Sequence, residues 1–291
     1  IEYYKDRDRG IPYKEDLWVP GYFELPIKRG ESIIFSASTY ECDPALFTED
    51  YETEIRTRTM RTSFYNCLKN AAKQFYLKNK SGMYIMAGYP WLNVRSRDEL
   101  IALPGCTLSI KHANDYEQIM KSLLEALRRF VSDGTKDPTI KDIDLPDIPL
   151  WAVWAIQQYG RSQGLQAAKE MYGDHIKWLI ETVITGAVPN LILDENGLVR
   201  SDGRNMPVSW MSATIYGKPI IPRTGYLVEF NALWYNAICF AISMYENDPA
   251  QQEYTENLRA IASKTKNAFI ETFLNDHGYL YDYVDGAYKD L

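Results

Sequence analysis

The sequence predicts a mainly α-helical fold, an incomplete α/α toroid that follows the last strands of a β domain. Residues 16–38 carry a strand-like pattern, whereas helical spacing of apolar residues dominates from about residue 44 to residue 274. The helices also alternate between two kinds, one of them apolar almost all round. They are too few to close a ring of six helix pairs, so we expect the toroid to be incomplete.

The strand prediction comes from the first part of the chain. Residues 16–38 alternate apolar and polar positions between Pro and Gly residues, and they include the β-rich run 33–35. We therefore assign residues 1–40 to the end of a β domain and residues 44–291 to the first part of the toroid. The chain begins in the middle of a pattern and without an initiator Met, so we expect it to be part of a longer polypeptide.

The two kinds of helix lead to the toroid prediction. Residues 114–131 place their apolar side chains on one stripe and stop at Gly134, and residues 253–274 show a similar stripe. Residues 148–156 and 230–244 are apolar almost all round, so these helices must be buried on every side. Alternation of half-exposed and buried helices favours an outer layer around an inner one over a simple bundle.

Composition and charge argue against several classes of function. The 291 residues carry a formal net charge of -7 with no block of Lys and Arg, so we expect no nucleic-acid partner. The longest apolar stretch, residues 232–244, is too short to span a bilayer, and we expect no membrane association. Four Cys residues lie far apart, which favours reduced thiols in a cytoplasmic protein. Three His residues occur singly, so no metal site is expected.

Aromatic residues make up 13% of the chain, and many lie beside Asp, Glu, Asn and Arg. Such neighbours suit a sugar, whose C–H faces stack on rings, although the same rings could simply fill a large helical core. The mixture is concentrated in three loops, residues 87–98, 141–147 and 208–229. In a toroid these loops emerge on one face, so we expect them to form one pocket at helix N-termini. Paired carboxylates in an aromatic pocket are what glycoside hydrolysis requires.

The charged residues of these loops also have simpler explanations. Arg97 and Asp98 could form a local ion pair or a helix cap, and Asp147 could cap the helix that follows it. Glu229 is harder to explain in this way, because it lies within an apolar helix start where an unpartnered carboxylate is costly. Arg223 or a sugar hydroxyl could be its partner.

Three motifs resemble a known family. Residues 88–105, GYPWLNVRSRDELIALPG, and residues 222–237, PRTGYLVEFNALWYNA, are similar to segments of the glucosidase (amylo-α-1,6-glucosidase) domain of glycogen debranching enzymes. Residues 147–151 resemble a third segment, and the match runs in order from about residue 50 to residue 291. The resemblance implies an (α/α)6 toroid that hydrolyses, with inversion, the α-1,6 glucosyl stub at the branch points of glycogen or limit dextrin. It also implies that residues 1–40 are the end of the β-sandwich domain that precedes the toroid in bacterial relatives. It implies α-glucans, including malto-oligosaccharides, as partners and no cofactor.

The resemblance also implies site residues. Arg97 and Asp98 match residues that hold the hydroxyls of the terminal glucose, and Glu229 is a candidate catalytic carboxylate. The substrate-binding residues expected in this way are Trp91, Arg97, Asp98, Asp147, Trp210, Arg223, Asn231 and Trp234. Residues 93–95 depart from the family, which usually has Gly, Asp and Trp there.

A second departure concerns the chemistry. Ser212 stands where the family has the Asp that serves as general acid, and a serine hydroxyl is far too weak an acid for that task. The resemblance places the general base beyond residue 291. If the chain is an active glucosidase, another acid must serve, and Asp202, Glu195 and Glu229 are the candidates. The alternatives are a catalytically impaired homologue that binds α-glucan without cleaving it and a helical module that binds proteins.

Overall fold

The computed structural model describes residues 1–38, 40–89 and 92–290. The chain forms two compact units. The first contains Ile1–Asp8 and Pro12–Gln74, and the second contains Arg9–Ile11 and the chain from Phe75 onward. Helices dominate the described chain, as the sequence predicts, and strands are few and short. No helix in the described part is both long enough and apolar enough to cross a membrane.

The first unit is built from three helices, α1 (Tyr4–Asp8), α2 (Phe47–Thr57) and α3 (Phe64–Gln74). A short 3-10 turn precedes α2, and the Asp43 side chain caps it by accepting the backbone N–H of Ala45 at 2.9 Å. Such a cap is the usual role of Asp at a helix start.

The prediction of strands in residues 16–38 is wrong for the described chain, in which the first strand begins at Tyr76. Ladder pairing within residues 1–38 is limited to one bridge, between Glu2 and Lys14. Trp18 is 86% exposed, so its apolar surface has no cover among the described residues. An alternating pattern forms a strand only where a neighbour supplies hydrogen bonds and covers the apolar face. The assignment of this segment to a sandwich domain stays a prediction.

The second unit holds the remaining elements. Its helices are α4 (Ser96–Cys106), α5 (Ala113–Asp133), α6 (Ile148–Gln163), α7 (Leu165–Ile184), α8 (Val228–Tyr245) and α9 (Gln252–Phe273). Its strands are β1 (Tyr76–Asn79), β2 (Gly82–Ile85), β3 (Val94–Arg95), β4 (Ile140–Lys141), β5 (Ile192–Leu193), β6 (Val199–Arg200), β7 (Thr214–Ile215), β8 (Lys218–Pro219), β9 (Tyr226–Leu227), β10 (Tyr283–Asp285) and β11 (Tyr288–Lys289). Most strands pair as short antiparallel hairpins, whereas β3 and β4 pair in parallel.

The core of the second unit lies around α6 and α8. Helix α6 packs against α4, α7 and α8, and α8 packs against α6, α7 and α9. Phe230 and Trp234 of α8 are fully buried, and no residue between Ile148 and Ile156 is exposed. By contrast, α5 buries one stripe, including Tyr116. The two predicted kinds of helix are therefore both present.

Short strands set the position of the polar loops. The parallel pairing of β3 with β4 joins Val94 to Ile140 and Arg95 to Lys141. It therefore places the start of α4 beside the loop that leads into α6. Strand β10 pairs with β9 just before α8 and brings Asp282 close to the start of that helix.

Candidate functional site

The predicted polar loops meet at a cavity of about 350 Å³ beside the N-terminal part of α4. We call it the polar cavity. It is lined by Arg95, Arg97, Asp98, Ile101, Asp142, Leu145, Met206, Pro207, Ser209, Trp210 and Ser212. Residues from all three loops therefore share one site, and four of the predicted site residues are among them: Arg97, Asp98, Trp210 and Ser212.

Arg97 is fixed by a buried ion pair with Asp147. The two side chains make paired hydrogen bonds of 2.6 and 2.9 Å, and the Trp151 indole N–H donates to the same carboxylate at 3.1 Å. Burial raises the pKa of Asp147, and the Arg97 guanidinium offsets part of that rise. Asp147 is 1% exposed and occupies the N-cap position of α6, but its side chain makes no cap hydrogen bond. Its carboxylate orients Arg97, and its predicted contact with substrate stays a prediction.

Asp98 differs from Arg97 in being exposed at the polar cavity. The predicted ion pair between these two neighbours is absent, because Arg97 binds Asp147. Within residues 1–38, 40–89 and 92–290, the Asp98 carboxylate has neither a hydrogen-bond nor an ion-pair partner. It lies in the first turn of α4, where the helix dipole favours negative charge. A free carboxylate in such a place can accept hydrogen bonds from a ligand.

Arg95 and Asp142 form the rim of the polar cavity. Arg95 Nε lies 2.8 Å from Asp142 Oδ2, and the side chains are 42% and 35% exposed. The Ser96 hydroxyl donates to the Asp142 carbonyl oxygen at 2.8 Å and fixes that loop. Both residues lie in loops that the sequence singled out, but their ion pair could not be predicted, because they lie 47 positions apart.

A buried arginine supports another wall of the polar cavity. Arg223 is 2% exposed and pairs with both oxygens of Glu229 and both oxygens of Asp282. It also donates to the Ser209 hydroxyl at 2.8 Å, and Ser209 lines the cavity. Burial lowers the pKa of Arg223, but the hydrogen bonds that its guanidinium donates to the Glu229 and Asp282 carboxylates outweigh this effect and raise the pKa overall. The expected Arg223–Glu229 pairing is thus present, whereas Asp282 carried no signal in the sequence.

The three acids considered as substitutes for the missing general acid do not line the polar cavity. Glu229 has both oxygens bound to Arg223, and Glu195 is exposed in the turn between β5 and β6. Hydrogen bonds from Arg204 lower the pKa of Asp202 to about 2, so this group is ionised at neutral pH. Ser212 itself is exposed at the cavity.

The predicted aromatic and amide ligands fall into three groups. Trp210 is 61% exposed and lines the polar cavity, whereas Trp91 lies outside the described residues. Asn231 and Trp234 are fully buried in α8, and their predicted contact with substrate stays a prediction. The Asn231 amide instead bonds the N–H and C=O of Val199 at 2.7 and 2.9 Å, which ties β6 to α8. Searched over the described residues, the structure shows no group of three potential metal ligands.

Two family models match the chain. The family model described as amylo-alpha-1,6-glucosidase matches residues 68–290, and the model of the glycogen debranching enzyme N terminal matches residues 1–34. No curated protein matches the chain.

One similar solved structure is a Streptococcus pneumoniae protein from a family of metal-independent α-mannosidases, in a non-productive complex with α-1,6-mannobiose. It is 10% identical, with a TM-score of 0.50, over 84% of this chain and 68% of that chain, so the likeness concerns the fold alone. The glucosidase model, in contrast, spans most of the sequence. The chain belongs to the amylo-α-1,6-glucosidase family.

Proposed function

We propose that the protein is a glycoside hydrolase that releases glucose, with inversion, from the α-1,6-linked stub at branch points of glycogen or limit dextrin. The observation that supports this most directly is the polar cavity, where Arg97, the free Asp98 carboxylate and exposed Trp210 lie together. These are the residue types that a terminal glucose needs, because hydroxyls require hydrogen bonds and C–H faces stack on rings. Family membership supports the reaction class.

The cavity residues have distinct roles in this proposal. Asp98 accepts hydrogen bonds from glucose hydroxyls, and Arg97, held by Asp147, donates to them. Trp210 covers one face of the ring. Water attacks the anomeric carbon from the face opposite the leaving oxygen and loses a proton to a general base. The bond to the leaving oxygen breaks as a general acid protonates that oxygen, and this single displacement inverts the anomeric carbon.

We also infer that the helices of the second unit belong to an (α/α)6 toroid. The central position of α6 and α8, each packed against three other helices, supports an inner layer. We keep residues 1–40 as the end of a sandwich domain and residues 44–291 as toroid; a structure of the full-length protein would test both. Given the glucan substrate, we expect the protein in the cytoplasm.

Glucose release from limit dextrin tests the proposed reaction. We expect steady release by the purified full-length protein and a loss of at least about a hundredfold in Asp98→Asn, because the neutral amide holds hydroxyls less strongly. Asp276→Asn, an exposed aspartate that does not line the cavity, is the matched control. Optical rotation of the glucose, followed before mutarotation is complete, should show the β anomer first, which is the result of inversion.

Ser212 provides the second arm of this test. The serine lines the polar cavity at the family's acid position, so Ser212→Asp should increase glucose release if the remaining geometry is that of a glucosidase. Glucan binding without release in the wild type, together with a gain in Ser212→Asp, would identify a binding protein that lost its acid. No binding of any α-glucan would refute the proposed function.

A further inference from the structure

Residues 210–222 form part of the polar cavity, yet none of them is buried. We call this stretch the cavity segment. Trp210 and Ser212 line the cavity, and the β7–β8 hairpin begins two residues after Ser212. A stretch without buried side chains gains little stability from its own packing. The position of Ser212 at the cavity therefore depends on contacts that the cavity segment makes with other parts of the chain.

The base of the cavity segment is fixed to the core of the second unit. Arg223, directly after the segment, is buried and donates to the hydroxyl of Ser209, directly before it, at 2.8 Å. This hydrogen bond closes the segment at its base. The Ile220 N–H donates to the Ala213 carbonyl oxygen at 3.0 Å and closes the hairpin one residue beyond Ser212.

The tip of the hairpin is a turn in which Tyr216 has an unfavourable backbone conformation. Tyr216 and Gly217 connect β7 to β8, and their φ angles are 50° and 78°. Two consecutive residues with positive φ are typical of the type I′ turn, which favours Asn, Asp or Gly. A tyrosine in the left-handed region is uncommon and persists only where its surroundings hold it there.

Residues 9–11 make that contact at the tip of the hairpin. These three residues belong to the second unit, although the residues on both sides of them belong to the first. The Tyr216 N–H donates to the Arg9 carbonyl oxygen at 3.1 Å. Gly10 lies against the Tyr216 ring, because a Cβ added to Gly10 would lie 2.0 Å from the ring Cδ1. Any side chain at position 10 would therefore displace the ring.

The cavity segment is thus held at its base by Arg223 and at its tip by Gly10, and Ser212 lies between the two contacts. We propose that Gly10 and Tyr216 are positioning residues of the polar cavity, whose contact keeps Ser212 and Trp210 in place for cleavage of the glucoside. Small displacements at such a site reduce rates strongly. This inference rests on the proposed function, since it assumes a glucoside in the polar cavity.

The kinetics of glucose release from limit dextrin by the full-length protein test this role. Gly10→Ala should displace the Tyr216 ring and lower kcat about tenfold. KM should stay within about twofold, because Arg97 and Asp98 bind the glucose hydroxyls from α4. Gly30→Ala is the matched control, since Gly30 also has a positive φ, of 90°, but an added Cβ would have no atom within 4 Å. It should leave kcat unchanged.

Two further measurements separate positioning from a general loss of stability. In Tyr216→Gly there is no ring to displace, so adding Gly10→Ala should change kcat by less than about twofold in that background. Hydrogen–deuterium exchange gives a readout independent of activity. In Gly10→Ala, peptides from residues 210–222 should exchange faster, because the Tyr216 N–H loses its partner, whereas peptides from α4 should exchange as in the wild type.

The outcomes distinguish the two levels of inference. An unchanged kcat in Gly10→Ala would overturn the positioning role and leave the proposed glucosidase intact. An equal loss in Gly30→Ala, or a loss that persists in the Tyr216→Gly background, would also overturn it, because the Tyr216 ring would then not be the cause. Absence of glucose release from both the wild type and Ser212→Asp would overturn the proposed function and the positioning role together.

Discussion

Glu99 is a buried carboxyl group that should make the stability of the protein depend on pH. It has no exposed surface, and its Oε1 accepts the Ile85 N–H at 2.8 Å. Its other oxygen has no hydrogen-bond partner among the described residues. Burial raises its pKa from 4.5 to about 8, partly opposed by the Ile85 N–H and reinforced by Asp137. Glu99 is therefore neutral in the folded protein at pH 7.

The sign and size of the effect follow from linkage. In the unfolded chain Glu99 ionises above its ordinary pKa of 4.5, whereas the folded protein keeps the proton up to about pH 8. Folding therefore takes up a proton in this window, and stability falls as the pH rises through it. One pH unit corresponds to ~1.4 kcal/mol, so the change from pH 6 to pH 8 is about 2 kcal/mol. Above pH 8 the loss levels off at about 5 kcal/mol.

Glu99→Gln removes this titration while keeping an oxygen that can accept the Ile85 N–H. Urea unfolding followed by circular dichroism at pH 6, 7 and 8 should show the variant gaining about 2 kcal/mol relative to the wild type over this range. Contributions from other titrating groups cancel in the difference. Glu271→Gln, an exposed change on α9, should show a constant difference. A pH-independent difference for Glu99→Gln would refute the buried neutral carboxyl.

The remaining predictions concern the ion pairs and amides around the polar cavity. Arg223→Ala should lower the free energy of unfolding by about 3 kcal/mol in urea, because two partly buried carboxylates lose their partner; Arg259→Ala, in an exposed pair, should change it by less than about 1 kcal/mol. Asn231→Ala should cost about 3 kcal/mol by the same measurement, since backbone groups of β6 and β9 lose their partner. Gly203→Ala should lower the melting temperature measurably, because a new Cβ would lie 2.0 Å from the Arg223 carbonyl oxygen. Full stability in any of these three variants would contradict the corresponding contact.

Helices could be predicted from the sequence because their signals are local. The apolar stripe of residues 114–131 corresponds to α5, and Gly134 ends that helix with a positive φ of 79°. The strands of residues 16–38 could not be predicted in the same way. Whether an alternating pattern forms a strand depends on a partner elsewhere in the chain, which the pattern does not contain.

The site shows the same division between local and distant information. Motifs placed Arg97, Asp98 and Trp210 correctly at one cavity, because the resemblance fixes them as a group. They could not show that Arg97 pairs with a residue 50 positions away instead of with its neighbour. Nor could they show that a residue 59 positions beyond Arg223 completes its ion-pair network. Partners of buried charges are set by the packing of whole helices.

These distant pairs determine which charges remain available for chemistry. Asp147 and Glu229 are each paired with an arginine. Their carboxylates therefore stabilise the walls of the polar cavity, and ligand binding falls to other groups. Asp98 lies beside such a pair yet remains unpartnered within the described chain, at the polar cavity. A free carboxylate surrounded by fixed side chains reorganises little when a ligand binds, which is the condition for precise placement of a sugar. Ser212 lies in the same loop as Ser209, whose hydroxyl accepts a hydrogen bond from Arg223. An aspartate introduced at position 212 would therefore lie in a site that is already ordered.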